Sequence, residues 1–307
     1  MNNINYLVKS DYSNLKTFVI NLDDYKENYI KQLAYLENLG LKVKRFVGTN
    51  ALKDEHLKPE YREYISKFAL NFTPKSVIGC ALSHILCCKH IYENYINLED
   101  NNNIARGAIS PQYFLIMEDD AFPKYNKTEF YKEINKTIDN IQILDSNWEI
   151  IQLHSDALYP TINTYTSHFL SGSVAAYLIS KKGLNKIIKK KVKYHIDLVT
   201  INPFNFNKYR SRINLFYTNE KNSLNRNINK TKNISYYSLY FKSYLLELFN
   251  KYTNLLELRG EKTWQNFLEF KMLKLPYFKK EYTANELIDY IITLFLFKKY
   301  VYYLYKK

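Results

Sequence analysis

The apolar run Tyr113-Phe114-Leu115-Ile116-Met117 ends abruptly in three acidic residues, Glu118, Asp119 and Asp120. Carboxylates packed side by side repel one another unless a cation or hydrogen-bond donors sit among them. Hard divalent ions such as Mg²⁺ and Mn²⁺ take oxygen ligands, commonly one or two carboxylates completed by the phosphate oxygens of a substrate. The triplet therefore suits a metal and diphosphate site; taken alone, it equally suits a solvated loop after a core strand. A second group lies upstream. Gly79 and His84 fall within an apolar segment of helical period. Glycine there costs roughly 1 kcal/mol against alanine and so points to close approach by a neighbour or a ligand. Cys80, Cys87 and Cys88 share this segment. They form no CxxC pair and read as reduced, buried core thiols without metal-ligand spacing.

The elements that must hold these residues alternate in type. Residues 17–22 are a short run of β-formers, and from about 24 to 39 the apolar residues Tyr29, Ile30, Leu33, Leu36 and Leu39 recur at helical spacing before Gly40, a fitting C-cap. A second strand follows at 41–47, so the chain opens with a β-α-β unit, the signature of a parallel sheet. Ligands of such sheets gather at the carboxyl ends of the strands. Residues 54–68 read as helix. Thr73 and Pro74 supply an N-cap and a first-turn proline for a long helix to about 95. After a polar loop come the acidic strand, a helix at 128–144, strands at 148–153 and 173–179, a helix at 181–190 and a strand near 213–217. Strand and helix alternate through the first 220 residues, so the class is α/β.

A chain of 307 residues accommodates one large domain with a smaller appendage. Its net charge of +14 implies attraction to an anionic partner. Most of that excess is in the last quarter: residues 221–307 hold roughly 16 Lys and Arg against 7 Asp and Glu. This region, rich in Lys, Tyr and Phe, reads as helical. Its last helix, 283–306, is too short and too interrupted to span a bilayer and suits the membrane interface instead. The N-terminus has no apolar core of export-signal length, so a cytoplasmic location is expected. Lysine and tyrosine interleaving at pI 9.3 also permits nucleic-acid binding, although no recognised RNA or DNA module occurs.

Four stretches in order carry a resemblance. They are Val19-Ile20-Asn21-Leu22-Asp23, then Phe72-Thr73-Pro74 with Ile78-Gly79-Cys80-Ala81-Leu82-Ser83-His84, then Met117-Glu118-Asp119-Asp120-Ala121, and finally Ala176-Tyr177-Leu178-Ile179-Ser180-Lys181-Lys182-Gly183. Across residues 17 to about 217 the chain resembles glycosyltransferase family 25, which holds bacterial lipooligosaccharide galactosyltransferases and related collagen-modifying enzymes. The resemblance implies a GT-A-like (Rossmann-like) mixed sheet with flanking helices over residues 1–220. The helical, basic region 221–307 lies beyond it and is expected to serve acceptor or membrane association.

The same resemblance implies transfer of a hexose, galactose first, from a nucleotide-sugar donor such as a UDP-sugar. The acceptor would be a lipooligosaccharide or related surface glycan, and the reaction would be metal-assisted and inverting. It places Mn²⁺ or Mg²⁺ on Asp120 and Glu118, and the donor near Asn21, Leu22, Asp23, Asn50, Gly79, Ser83, His84 and Asp119. The family's arginine after Asp23 is replaced here by Asp24-Tyr25-Lys26, and Asn50 stands where an aspartate is usual. Inverting transfer needs a base for the acceptor hydroxyl. Asp197 and Asp156 are the candidates, Asp197 being the better match, although an N-cap would account for it equally. The enzyme is expected at the inner face of the bacterial cytoplasmic membrane, without nucleic acid as a partner. An inactive transferase-like protein is the remaining alternative.

Overall fold

The central strands are buried almost without interruption, because one sheet carries a core on each face. In the computed structural model, which describes residues 15–53, 57–73, 75–97, 113–155, 173–193, 196–201, 205–219, 271–274 and 281–283, the first strand is β1 (Lys16–Asn21). A 3₁₀ turn at Asp23–Tyr25 leads into α1 (Lys26–Asn38), and Gly40 follows with φ +78°, a left-handed C-cap that glycine adopts without steric cost. β2 (Lys42–Val47) then pairs parallel to β1, as the β-α-β reading expects. Next come α2 (Lys67–Phe72), α3 (Lys75–Ile91) and β3 (Tyr113–Glu118), which pairs parallel to β1 on its other side. β4 (Ala121–Pro123), α4 (Lys127–Leu144), β5 (Ile150–Gln152), β6 (Ala176–Ser180) and α5 (Lys181–Ile187) continue the chain. β7 (Lys208–Arg210) and β8 (Phe216–Thr218) complete this part.

Six strands form a mixed sheet in the order β2-β1-β3-β6-β5-β7. β6 runs antiparallel to both β3 and β5, while β5 and β7 are parallel. Because successive side chains point to opposite faces, each strand feeds both cores. Phe18, Ile20, Phe114, Ile116, Tyr177 and Ile179 pack with Ile78, Leu82 and Ile85 of α3 and Leu184 of α5. Val19, Leu115, Met117 and Leu178 pack on the opposite face with Leu36 of α1 and Phe130, Ile134 and Ile138 of α4. A sheet covered by helices on both faces is the GT-A-like α/β architecture expected.

Several local expectations change. The segment 54–68 is not one helix: a 3₁₀ turn at Pro59–Tyr64 ends at Ile65, which is extended and bridges to Val192, and α2 starts afresh behind the N-cap Ser66. The α1 stripe is shifted, with Ile30 57% exposed and Gln32 fully buried. The strand near 213–217 begins only at Phe216, and β4 and β7, three residues each, are too short to show a period. Most of 221–307 lies outside the described residues, but Lys271–Lys274 and Glu281–Thr283 form an antiparallel pair, β9 and β10, where helix is expected. Pro276 between them is incompatible with a helix interior. Among the described residues, no helix is long and apolar enough to cross a membrane.

Candidate active site

A cleft opens where β1 and β3 end side by side. Its walls are the Ile20 to Leu22 end of β1, the loop Thr49 to Leu52 after β2, the Ser76, Cys80, Ser83 and His84 face of α3, and the acidic residues Glu118, Asp119 and Asp120. Ile20 is in register with Glu118, so the two strand ends share one rim. The cleft has a volume of about 150 Å³. One water needs about 10–15 Å³ by the same measure, so the cleft has room for a ligand much larger than a lone ion.

The acidic corner is held from α1. The buried Gln32 amide donates to the backbone carbonyl of Glu118 at 2.8 Å and also to that of Ala121, so one helical side chain fixes both ends of the acidic turn. Asn21 Nδ2 donates to Asp119 Oδ2 at 2.5 Å and to the Tyr25 carbonyl at 2.9 Å. Burial pushes the Asp119 carboxyl up to about 6; the Asn21 hydrogen bond opposes this shift, while the neighbouring Glu118 charge adds to it. Arg45, on the adjacent β2, donates to Asn21 Oδ1 at 2.8 Å and to Asp23 Oδ1 at 2.7 Å. A guanidinium thus reaches the corner from a neighbouring strand, although no arginine follows Asp23. Asn50 Nδ2 donates to Asp24 at 3.1 Å, and Lys53 pairs with the same carboxylate at 2.7 Å.

The opposite wall is α3. A Cβ on Gly79 would lie 2.6 Å from the Thr49 carbonyl oxygen and 3.0 Å from the Ala51 nitrogen, both backbone atoms, so the helix and the 49–51 loop touch only because residue 79 is glycine. Ser83 completes that contact: its hydroxyl accepts from the Thr49 N–H at 2.8 Å and donates to the Gly79 carbonyl at 2.6 Å. His84 is buried, with Nδ1 at 3.0 Å from the Tyr177 hydroxyl and Nε2 at 3.0 Å from Glu118 Oε1. Cys80 Sγ lies 3.6 Å from that same oxygen. Burial, with the charges of Glu118 and Asp197 nearby, holds the Cys80 thiol well above its ordinary range.

The family model for glycosyltransferase family 25, described as an LPS biosynthesis protein, matches residues 14–200, more than half of the chain. The chain belongs to glycosyltransferase family 25. No curated protein matches it. Membership makes it a glycosyltransferase of lipopolysaccharide biosynthesis, acting between a sugar donor and an acceptor.

Within this family 25 transferase, Leu22, Asn50, Ser83, His84, Glu118, Asp119 and Asp120 line one cleft, and Asn21 and Asp23 join it through the Arg45 network. Gly79 lies behind the lining, against the 49–51 backbone. Asp197 is not on the lining; its Oδ2 accepts at 2.9 Å from the N–H of Ser173, whose φ of 83° is unusual for a non-glycine residue. Its charge also acts on buried Lys208, whose ammonium burial lowers to about 7. Asp156 lies outside the described residues. Cys80, taken for a buried core thiol, is only partly buried and lines the cleft, and the sequence reading gives Gln32, Arg45 and Tyr177 no site role. Gln32 alone leaves a trace there, as a polar residue four positions before Leu36 on the helix face that is buried. Glu118 and Asp120 both line the cleft, and carboxylate oxygens are the ligands that a hard divalent ion takes.

Proposed function

We propose that this transferase moves a hexose, galactose first, from a nucleotide diphosphate sugar to a lipooligosaccharide or related surface glycan with inversion. The observation that carries this reading is the adjacency of the β1 and β3 ends, which brings the Asn21 to Asp23 segment and the carboxylates 118–120 to one cleft. We assign Asp120, with Glu118, to a Mn²⁺ or Mg²⁺ ion. Such an ion, when bound, would neutralise the donor diphosphate and stabilise the departing nucleotide.

The chain's own residues do the rest. Asn21 and Gln32 hold the acidic turn in place, while Ser83 and Gly79 fix the 49–51 loop against which the donor lies. The acceptor hydroxyl attacks the anomeric carbon as the bond to the nucleotide oxygen breaks, and a carboxylate takes the hydroxyl proton on the opposite face. Asp197 is the candidate for that carboxylate because it matches the family's later Val-Asp motif. The basic region 221–307 is assigned to association with the inner face of the cytoplasmic membrane, where charge and aromatic insertion act together.

A donor-hydrolysis screen tests this reading: purified full-length protein is offered a panel of nucleotide sugars with and without Mn²⁺. One UDP-hexose turned over in a chelator-sensitive manner is the expected result. Indifference to chelator would remove the metal, and turnover confined to a non-hexose donor would remove the sugar assignment.

A further inference from the structure

Three side chains of different chemistry meet on the cleft wall. Cys80 and His84 are four residues apart on α3, the spacing that stacks two side chains on one face of a helix, and Glu118 reaches them from the end of β3. One ligand atom from each lies within 4.8 Å of the other two, and no other three metal-capable side chains among the described residues converge in this way. The carboxylates 118–120 do not form such a group. Glu118 Oε1 is 3.0 Å from His84 Nε2 and 3.6 Å from Cys80 Sγ. In a tetrahedral zinc shell, with bonds of about 2.3 Å to sulfur and about 2.0 Å to nitrogen and oxygen, neighbouring ligand atoms are roughly 3.3 to 3.5 Å apart. Both spacings to Glu118 are close to those values.

The surroundings favour an ion as well. His84 Nδ1 faces the buried Tyr177 hydroxyl at 3.0 Å, and that hydroxyl has Cys88 Sγ at 4.0 Å. Nε2–H donates to Glu118 when no ion is present; an ion on Nε2 would require the other tautomer, with Nδ1–H donating to the tyrosine oxygen, which the 3.0 Å spacing allows. An outer partner on the far ring nitrogen is the usual support of a metal-binding histidine. Sulfur, nitrogen and oxygen together suit zinc, whereas Mg²⁺ and Mn²⁺ prefer oxygen throughout. We propose that Cys80, His84 and Glu118 form a zinc site whose fourth position opens into the donor cleft.

The site has a consequence for turnover, and this part rests on the transfer reading above. Glu118 belongs both to the zinc site and to the acidic corner assigned to Mn²⁺ or Mg²⁺. Zinc binds a nitrogen and sulfur set more tightly than Mn²⁺ does, so it captures Glu118 from the acidic corner. Zinc is therefore an inhibitor of the Mn²⁺-supported reaction.

Cobalt serves as the spectroscopic stand-in for zinc. Metal-free full-length protein titrated with Co²⁺ is expected to develop a thiolate-to-cobalt charge-transfer band that saturates at one equivalent and is erased by one equivalent of zinc. Cys80→Ser is expected to lose the band and to bind zinc at least about a hundredfold more weakly by calorimetry, since even outer contacts are worth 10 to 100-fold. Absence of the band in the unaltered protein would overturn the site without recourse to any variant. Persistence of the band in Cys80→Ser would place the metal on Cys87 or Cys88 and overturn it equally. A protein that binds cobalt through Cys80 yet hydrolyses no nucleotide sugar would keep the site and contradict the transfer reading.

Discussion

Asp119 shows how a single carboxylate couples the site to stability. Its pKa is raised by burial to about 6 from 3.8, so the fold favours the protonated form. The stabilisation is fully present below pH 4, where the group is protonated in both states, and is lost as pH rises through 6. Above that, the ionised carboxylate costs on the order of 3 kcal/mol in the metal-free protein. Asp119→Asn keeps an acceptor for Asn21 and removes the charge. Urea unfolding from pH 4 to 8 should therefore show equal stability at pH 4 and a variant that is the more stable by up to that amount at pH 7 to 8. Parallel pH profiles would show that Asp119 is not the group responsible. At this scale the sequence was partly legible. Glu118, Asp119 and Asp120 announce themselves as a charge cluster at the end of an apolar run, and His84 stands out on an apolar helix. Arg45 and Tyr177 do not, because an arginine in β2 and a tyrosine in β6 are ordinary residues until pairing across the sheet brings them to Asn21 and His84.

At the scale of elements, the contact between α3 and the 49–51 loop decides the shape of the cleft. Gly79→Ala would place a methyl group 2.6 Å from a backbone oxygen that cannot rotate away. Overpacking of this kind costs typically 1–3 kcal/mol. The loop that carries Asn50 must then shift, so the variant is expected to lose about that much stability and to bind donor more weakly. Thermal unfolding together with donor titration checks both, and a variant of unchanged stability and donor affinity would show that the contact does not shape the cleft. The glycine was visible in the sequence as a helix-weakening residue, but the object it approaches was not, because the loop lies about thirty residues away along the chain. Short strands failed for a related reason: β4 and β7 are held by their neighbours in the sheets rather than by any period of their own. The β-α-β opening, α4 and the acidic strand were legible because each is long enough for its apolar spacing to repeat.

For the whole molecule, the uneven charge sets the expectation. With roughly +9 of the net +14 in residues 221–307, full-length protein should float with liposomes containing anionic lipid and much less with neutral ones. Raising the salt concentration should weaken the association, and a chain ending near Asn219 should lose most of it. Equal flotation of both chains would remove the C-terminal region from membrane attachment. Family membership was legible from four ordered motifs, whereas the path of the last 87 residues was not, since a run of Lys, Tyr, Phe and Leu fits both helix and strand. The claim on which the rest depends is that Asp120 seats the ion that serves the donor. Its most direct test is turnover of the nucleotide sugar found in the donor screen by Asp120→Ala and by the unaltered protein over a range of Mn²⁺. The expected result is a loss on the order of a hundredfold or more that added Mn²⁺ does not restore, in a variant that unfolds at a normal temperature. Full turnover by Asp120→Ala would contradict the assignment.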